Sequence, residues 1–443
     1  MSKDIVMDYA ERKQSLCREN DCIPDELYSK YGVNRGLRDI NGKGVLTGLT
    51  TISKMISFKD VDGVKTPCEG ELWYRGYNIK DLVAMSGNDC FGFERTAYLL
   101  LFGEYPDEKE AEEFKTILGE CRTLPTNFTR DVIMKAPSRD IMNSMTRSIL
   151  TLASYDPTAL NATLADNLRQ CIMLTAIFPM LAVYGYHAYN HYDNNESMYI
   201  HRPDPALSTA ENLLMMLRPD KSFTQLEAKV LDVALMLHME HGGGNNSTFT
   251  TRVVTSSGSD TYSTIAAAMS SLKGPKHGGA NIKVMEMMQN IRENVSDIKD
   301  FDEVDAYLGK ILAGEVFDHK GLIYGMGHAV YSLSDPRERI FSAYVDKLAA
   351  AKQRNDDLLL YKHIEETAPK LISQKRKIMK GVSPNVDFYS GFVYDMLGIP
   401  QELFTAIFAV ARIAGWSAHR IEELNTASKI IRPAYMSVMK ERN

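Results

Sequence analysis

A chain of 443 residues with 44% hydrophobic and 24% charged residues has the composition of a soluble globular protein, long enough for about two to three domains. That composition excludes global disorder. With 51 Lys+Arg against 57 Asp+Glu the net charge is −6, which excludes nucleic-acid binding through bulk charge, so an anionic substrate must be held by local arginines. The six cysteines (Cys17, Cys22, Cys68, Cys90, Cys121 and Cys171) form no CxxC pair and read as reduced thiols. The N-terminus is charged from the third residue and holds no apolar stretch of signal-peptide length, which reads as a cytoplasmic chain. The most apolar run, IMLTAIFPMLAVYGY, carries Pro179 and falls short of the ~20 residues that span a bilayer, so no membrane partner is expected.

Strand signals are confined to the first ~80 residues, around VLTGLTTIS and ELWYRGY. The stretch ERTAYLLLFGEYPDEKEAEEFKTIL then reads as two helices broken at Gly103 and Pro106. From Thr224 to Glu240, Leu226, Val230, Val233 and Leu237 recur at helical steps; Thr224 with Glu227 starts a capping box, and Gly242–Gly244 ends the run. Lys273-Gly274-Pro275 closes an Ala-rich helix, and His277 opens the next, whose apolar positions include Ile282 and Met285. Val304, Leu308, Ile311 and Leu312 mark a helix stopped by Gly314. Asp335-Pro336 places a capping Asp before a proline at the first helical position. Phe404, Phe408, Ala411 and Gly415 line one side of a last long helix opening near Pro400. No repeat or linker divides the chain. The expected fold class is mainly α with a small N-terminal β element.

Seven of the ten histidines lie between residues 238 and 419, several beside glycine, a pattern that suits close backbone approach to a ligand. In HMEHGGGNN, His238 and His241 sit three apart on one helix face, with His241 continuing the stripe from Leu237. Ligand binding, satisfied core histidines and a metal pair all remain open there, although an HExxH site needs a glutamate where Met239 stands. In LKGPKHGGAN, His277 at a helix N-terminus would stay neutral and could donate a hydrogen bond to an enol oxygen; a capping histidine is the plain alternative.

In YGMGHAVYSLSDPRERI, Gly325 and Gly327 flank a bend that presents His328, and Val330 stands where a GxGxxG motif needs glycine. Arg337, in the first helical turn, is disfavoured by the helix dipole unless it holds an anion or lies in solvent. In PNVDFYSG, Asp387 occupies a turn where partial desolvation would make it a better base. In FAVARIAGWSAH, Arg412 lies on the apolar stripe and reads either as a carboxylate clamp or as an internal partner of Glu422 or Glu423. Together these residues suit carbon-acid chemistry on a small dicarboxylate and lack the parts of hydride or phosphoryl transfer.

At these residues the chain resembles the citrate synthase family. HGGAN, GMGHAVY…DPR, PNVDFYSG and AR-x-x-GW-x-AH occur in the family's order, and the likeness runs from LWYRGYNIKDL to IIRPAY, over roughly residues 36–440. The resemblance implies an acyltransferase that turns the acyl group into an alkyl group on transfer, condensing acetyl-CoA with oxaloacetate and water to citrate and CoA (a Si-type citrate synthase). It also implies acetyl-CoA as co-substrate, no permanently bound cofactor and no metal, and a homodimer. By position, His277 matches the residue that stabilises the acetyl-CoA enol, His328 the one that protonates the oxaloacetate carbonyl, and Asp387 the base. His241, Arg337 and Arg412 match oxaloacetate-binding positions, and Arg432 an arginine supplied across the dimer interface. Gly325, Met326 and Gly327 match the loop near the CoA adenine.

The same resemblance implies a large helical domain over 1–279, to which 399–443 return, and a small helical domain over 280–398, with the site in the cleft between. Two positions depart from the family's pattern: Ser332, where many relatives carry Lys or Arg, and Gly242, where glutamate often stands. A 2-methylcitrate synthase using propionyl-CoA is the close alternative. A metal-dependent hydrolase built on His238, His241 and a distant carboxylate, and a non-catalytic CoA or dicarboxylate sensor, are the alternatives from other classes.

Overall fold

The computed structural model describes residues 3–39, 43–328, 330–331, 333–376, 381–426 and 429–439; Ser332, one of the two departures, lies outside them. The chain divides into two compact units, Met1–Leu49 and Thr50–Asn443. The first holds an exposed helix, Lys3–Asn20, a short one, Asp25–Lys30, and a single 3-10 turn, Arg35–Leu37. Cys17 and Cys22 are exposed in it, and all six cysteines are free.

The second unit opens with an antiparallel sheet of three strands, β1 (Ser53–Val61), β2 (Val64–Tyr74) and β3 (Tyr77–Asn78), in that order. The strand expected at VLTGLTTIS is not formed; pairing starts only at its last residue, Ser53. The missed signal is Asp62-Gly63, where two successive positive φ values, 53° and 80°, make the two-residue turn for which Asp-Gly is favoured in hairpins. ELWYRGY falls at the end of β2 and the turn into β3, as expected.

Among the described residues every α-helix but two follows the sheet, fifteen of seventeen, joined by turns and loops. Gly92–Phe102 ends on left-handed Gly103, and Glu108–Cys121 starts from a capping box at Asp107. The helix Gln225–His238 starts from the expected Thr224/Glu227 box but ends at His238, three residues sooner than a helix carrying His241 requires. Thr261–Leu272 and Ala280–Asn294 flank the His277 turn, so His277 precedes the second helix by three residues and does not open it. Phe301–Ala313 stops on left-handed Gly314, and Pro336–Ala351 is capped by Asp335.

The apolar run with Pro179 lies within Leu164–Asn194, a 31-residue helix that is long and apolar enough to cross a membrane, which corrects the expectation of a short segment. Of its most apolar window, 83% is buried inside the protein, so the length serves the core. The last helix, Phe404–Thr426, packs against Leu164–Asn194, Asn246–Ser256 and Gly92–Phe102, and Phe404, Ile413, Ala414 and Trp416 on it are fully buried. It is the central post against which the histidine-bearing turns are set.

Candidate active site

Besides Arg412 on that post, the candidate residues come from three turns, bearing His241, His277 and His328, and from two helix starts, bearing Arg337 and Asp387. His241 lies past the end of Gln225–His238, so it does not share a helix face with His238 as the spacing suggests. His238, fully buried, stacks on Phe408 with ring centroids 3.8 Å apart. The His241 ring meets His328 at 4.9 Å and Tyr331 at 5.6 Å. The two rings therefore face different neighbours, and among the described residues no three His, Cys, Asp or Glu side chains converge as metal ligands. Burial holds both imidazoles well below the usual histidine range, helped by the charges of Arg337 and Arg412.

His328 is fixed by its own backbone. Its Nδ1 accepts N–H bonds from Val330 (3.0 Å) and Tyr331 (3.2 Å), and its ring stacks on Tyr331 at 4.9 Å. A nitrogen that accepts twice carries the lone pair, so the proton of the neutral ring resides on Nε2. That Nε2 lies 3.5 Å from Arg337 Nη2, beyond the ordinary range of an N–H hydrogen bond, so the guanidinium does not claim a lone pair there. Arg337 is 4% exposed and holds the anion its position called for, Asp335, through Nε (3.0 Å) and Nη2 (2.7 Å). Burial alone would lower the guanidinium's pKa, but Asp335 carries it above the ordinary value.

Arg412 is also buried, and the ion pair with Glu422 or Glu423 is not formed; both glutamates pair with Arg252. Its Nε donates to the His238 carbonyl at 2.6 Å, while buried Nη1 has no hydrogen-bond partner among the described residues. His241 Nε2 is likewise buried and unpartnered. Orphaned buried donors cost free energy unless something fills the site, and a cation beside an imidazole calls for an anionic oxygen ligand.

Asp387 occupies the first turn of the helix Val386–Met396 instead of a free turn, behind an N-cap, Asn385, whose Oδ1 accepts the Asp387 N–H at 3.0 Å. Burial pushes its carboxyl up to about 6, with Arg337 and Arg412 pulling back and Asp335 pushing further. Asn385 also donates its Nδ2–H to the Gly327 carbonyl (2.9 Å) and its own N–H to the Gly325 carbonyl (2.9 Å), while Gly327 N–H donates to the Ser383 carbonyl (2.8 Å). Gly325, with φ 79°, must be glycine, because a Cβ would lie 2.8 Å from the Phe388 ring. The loop of Gly325, Met326 and Gly327 is thus tied to the segment bearing Asp387, through an Asn385 that sequence reasoning passed over although it lies within PNVDFYSG.

His277 Nε2 lies 3.1 Å from Ser247 Oγ, which accepts Trp416 Nε1–H at 3.2 Å. Burial lowers the imidazole's pKa to about 4, with a contribution from Arg412, so neutrality comes from desolvation and a neighbouring cation and not from a helix dipole. Of the residues singled out in the sequence, Arg337 and Arg412 act electrostatically on both His241 and Asp387, His328 adjoins His241 and Arg337, and Arg412 acts on His277. Arg432, exposed beyond the last helix, is not gathered in: among the described residues none is hydrogen-bonded or ion-paired with it.

The chain is also similar to known proteins. A family model described as citrate synthase, C-terminal domain, matches residues 41–434. The chain is 33% identical to a citrate synthase of Synechocystis sp. over 401 residues, 89% of this chain and 90% of that one. It is also 33% identical to a 2-methylcitrate synthase of Shewanella oneidensis over 367 residues, 82% of this chain and 87% of that one. Among solved structures, a citrate synthase from Pyrobaculum aerophilum superimposes with a TM-score of 0.74 at 28% identity, covering 92% of this chain and 93% of that one. A ternary complex of carboxymethyl coenzyme A and oxaloacetate with citrate synthase from Thermoplasma acidophilum gives 0.74 at 25% identity, covering 92% and 97%.

Proposed function

The chain belongs to the citrate synthase family, and from that premise we propose how its residues divide the work of condensing acetyl-CoA with oxaloacetate and water into citrate and CoA. The observation that carries this reading is the pairing of a buried, unsatisfied Arg412 Nη1 with a carboxyl, Asp387, raised to about 6. One is a seat for a substrate carboxylate; the other is a base of usable strength next to it.

In this reading Arg412 and Arg337 take the two carboxylates of oxaloacetate, with His241 supporting the first. His328 directs its Nε2–H at the ketone oxygen. Asp387 removes a proton from the methyl group of the acetyl thioester, and neutral His277 hydrogen-bonds the enol oxygen, stabilising charge without surrendering its own proton. The enol carbon attacks the polarised ketone, and His328 Nε2 gives its proton to the developing alkoxide. Water then cleaves the thioester, releasing citrate and CoA. Gly325, Met326 and Gly327 hold the adenine end of CoA, a co-substrate, and the scheme calls on no permanently bound cofactor. Residues 280–398 act as a small domain closing on the rest, which excludes water during enolisation. The protein works as a homodimer in the cytoplasm.

Thiol release from acetyl-CoA that appears only when oxaloacetate is present supports the assignment; release that is absent, or equal without oxaloacetate, overturns it. A second reading, propionyl-CoA giving 2-methylcitrate, has specific support in the 33% identity to the Shewanella oneidensis enzyme. One methylene in an apolar pocket is worth about 1–3 kcal/mol. Comparing kcat/KM for the two acyl-CoAs therefore decides between them.

A further inference from the structure

The motif AR-x-x-GW-x-AH ends in a histidine that the scheme above does not use. Arg412, Trp416 and His419 stand at i, i+4 and i+7 on the helix Phe404–Thr426 and share one buried face. Arg412 reaches the His238 carbonyl, Trp416 reaches the serine beside His277, and His419 reaches Glu240, the residue before His241.

The proton on His419 can be placed. Arg252 aims Nε (3.2 Å) and Nη2 (2.7 Å) at its Nδ1. A guanidinium only donates, so Nδ1 carries the lone pair and Nε2–H donates to Glu240 Oε1 at 3.0 Å. Arg252 in turn is paired with Glu422 and Glu423. Behind His241 there is therefore a buried chain of alternating character: two glutamates, an arginine, a neutral imidazole and a carboxylate.

Glu240 is fully buried and folds over the turn that carries His241. The same Oε1 accepts Ser53 Oγ–H at 2.9 Å and the N–H of Gly242, the residue after His241, while the Glu240 carbonyl accepts Tyr74 Oη–H at 2.9 Å. His241 is thus bracketed by two anchors of one residue, the Glu240 carbonyl before it and the Glu240 carboxylate on the N–H after it. Gly242 itself cannot stiffen the turn: its φ is 88°, and a Cβ there would lie 2.4 Å from Met55 Cε. Among the described residues Glu240 Oε2 has no hydrogen-bond partner and Arg412 Nη1 none either, so the carboxylate leaves that guanidinium nitrogen open.

We propose that Glu240 and His419 form a positioning couple for the oxaloacetate site, fixing the His241 turn so that His241 and Arg412 meet the substrate carboxylate in register. Neither residue touches the substrate; both act through His241. The inference rests on the reading of His241 and Arg412 as oxaloacetate-binding residues.

The test is calorimetric titration of the folded protein with oxaloacetate, together with steady-state kinetics, on His419→Ala, His419→Gln and Glu240→Asp. His419→Ala is expected to weaken oxaloacetate binding and raise its KM about ten-fold or more, the scale of a lost hydrogen bond to a charged group, while KM for acetyl-CoA stays within about two-fold. His419→Gln restores an N–H donor towards Glu240 and should return oxaloacetate binding to within about three-fold of wild type. Glu240→Asp keeps the charge, shortens the reach, and decides the matter if His419→Ala does not fold; it should show the same split. Unchanged oxaloacetate binding in the folded variants, or both KM values rising in parallel with a lowered Tm, overturns the couple alone. Wild-type protein that binds no oxaloacetate overturns the reading of the site as well.

Discussion

Gly70 of β2 donates its N–H to Ser334 Oγ at 3.1 Å, and a Cβ at position 70 would lie 2.3 Å from the Ser334 carbonyl oxygen. It would also lie 2.7 Å from Tyr331 Cδ1 and 3.0 Å from Pro336 Cδ, so the strand serves as a shelf for the segment between His328 and Arg337. Glycine is required there by proximity, not by backbone angle. Gly70→Ala should cost about 1–3 kcal/mol of stability through overpacking, because the nearest atom is backbone and cannot swing away. It should also lower kcat, since Tyr331 is the platform under His328. Gly309→Ala is the control of opposite sign: nothing lies within 4 Å of its Cβ in the helix Phe301–Ala313, so it should gain about 1 kcal/mol. Denaturant unfolding of the two variants checks both signs.

The pH dependence follows from Asp387. Its carboxyl titrates at about 6 in the folded protein against 3.8 ordinarily, so the folded state binds the extra proton between those values. Stability therefore falls as pH rises from 3.8 to about 6, by about 3 kcal/mol, and the loss is complete above 6. Asp387→Asn should match the wild type in Tm below pH 4 and exceed it above pH 6. With Asp387 in the base role proposed above, activity should run the other way: a base works ionised, so the rate should climb through about pH 6 to a plateau. His277, at about 4, is already neutral over that range and adds no second limb.

Much of this site was legible in the sequence because helices announce their ends. Thr224 with Glu227, Asp335 before Pro336 and Gly314 after Leu312 each satisfy a local backbone requirement, and each appears where the residues put it. The misses are tertiary or come from the last turn of a helix. His241 is spaced to share a face with His238, yet Gln225–His238 stops early and Glu240 is drawn to His419, 179 residues away. The neutrality of His277 was expected from a helix N-terminus; the nearest helix begins at Ala280, and burial does the work instead. Arg337 was expected to hold an anion, but nothing in the spacing said it would be Asp335, held from the same turn. The β1–β2 hairpin was within reach, since Asp62-Gly63 between alternating residues is a strong turn signal.

Asp387→Asn tests the base role proposed for Asp387 in enolisation. An amide of the same shape cannot take a proton, so oxaloacetate binding should survive while solvent-proton exchange into acetyl-CoA, measured with an oxaloacetate analogue present, drops about 100- to 10,000-fold. Exchange at the wild-type rate removes Asp387 from the base role.

Arg432 sits twenty residues beyond Arg412, in a segment without regular secondary structure and with Pro433 directly after it, beyond the end of the helix Phe404–Thr426. In that segment Tyr435 is 96% exposed and Met439 82%, apolar surface of the kind a second subunit would cover. If this segment reaches a neighbouring copy and lends Arg432 to its oxaloacetate site, each site is built from two chains, and the isolated monomer is inactive. Arg432→Ala and His277→Ala should then each be inactive alone and regain activity when mixed, because a mixed dimer holds one site with both residues intact. Random exchange puts about half of the molecules in mixed dimers, each with one of two sites working, so recovery should approach about a quarter of the wild-type rate. Differently tagged chains, captured through one tag and probed for the other, establish that the subunits exchange. Mixed dimers that form yet show no more activity than their parents would place Arg432 outside the shared site.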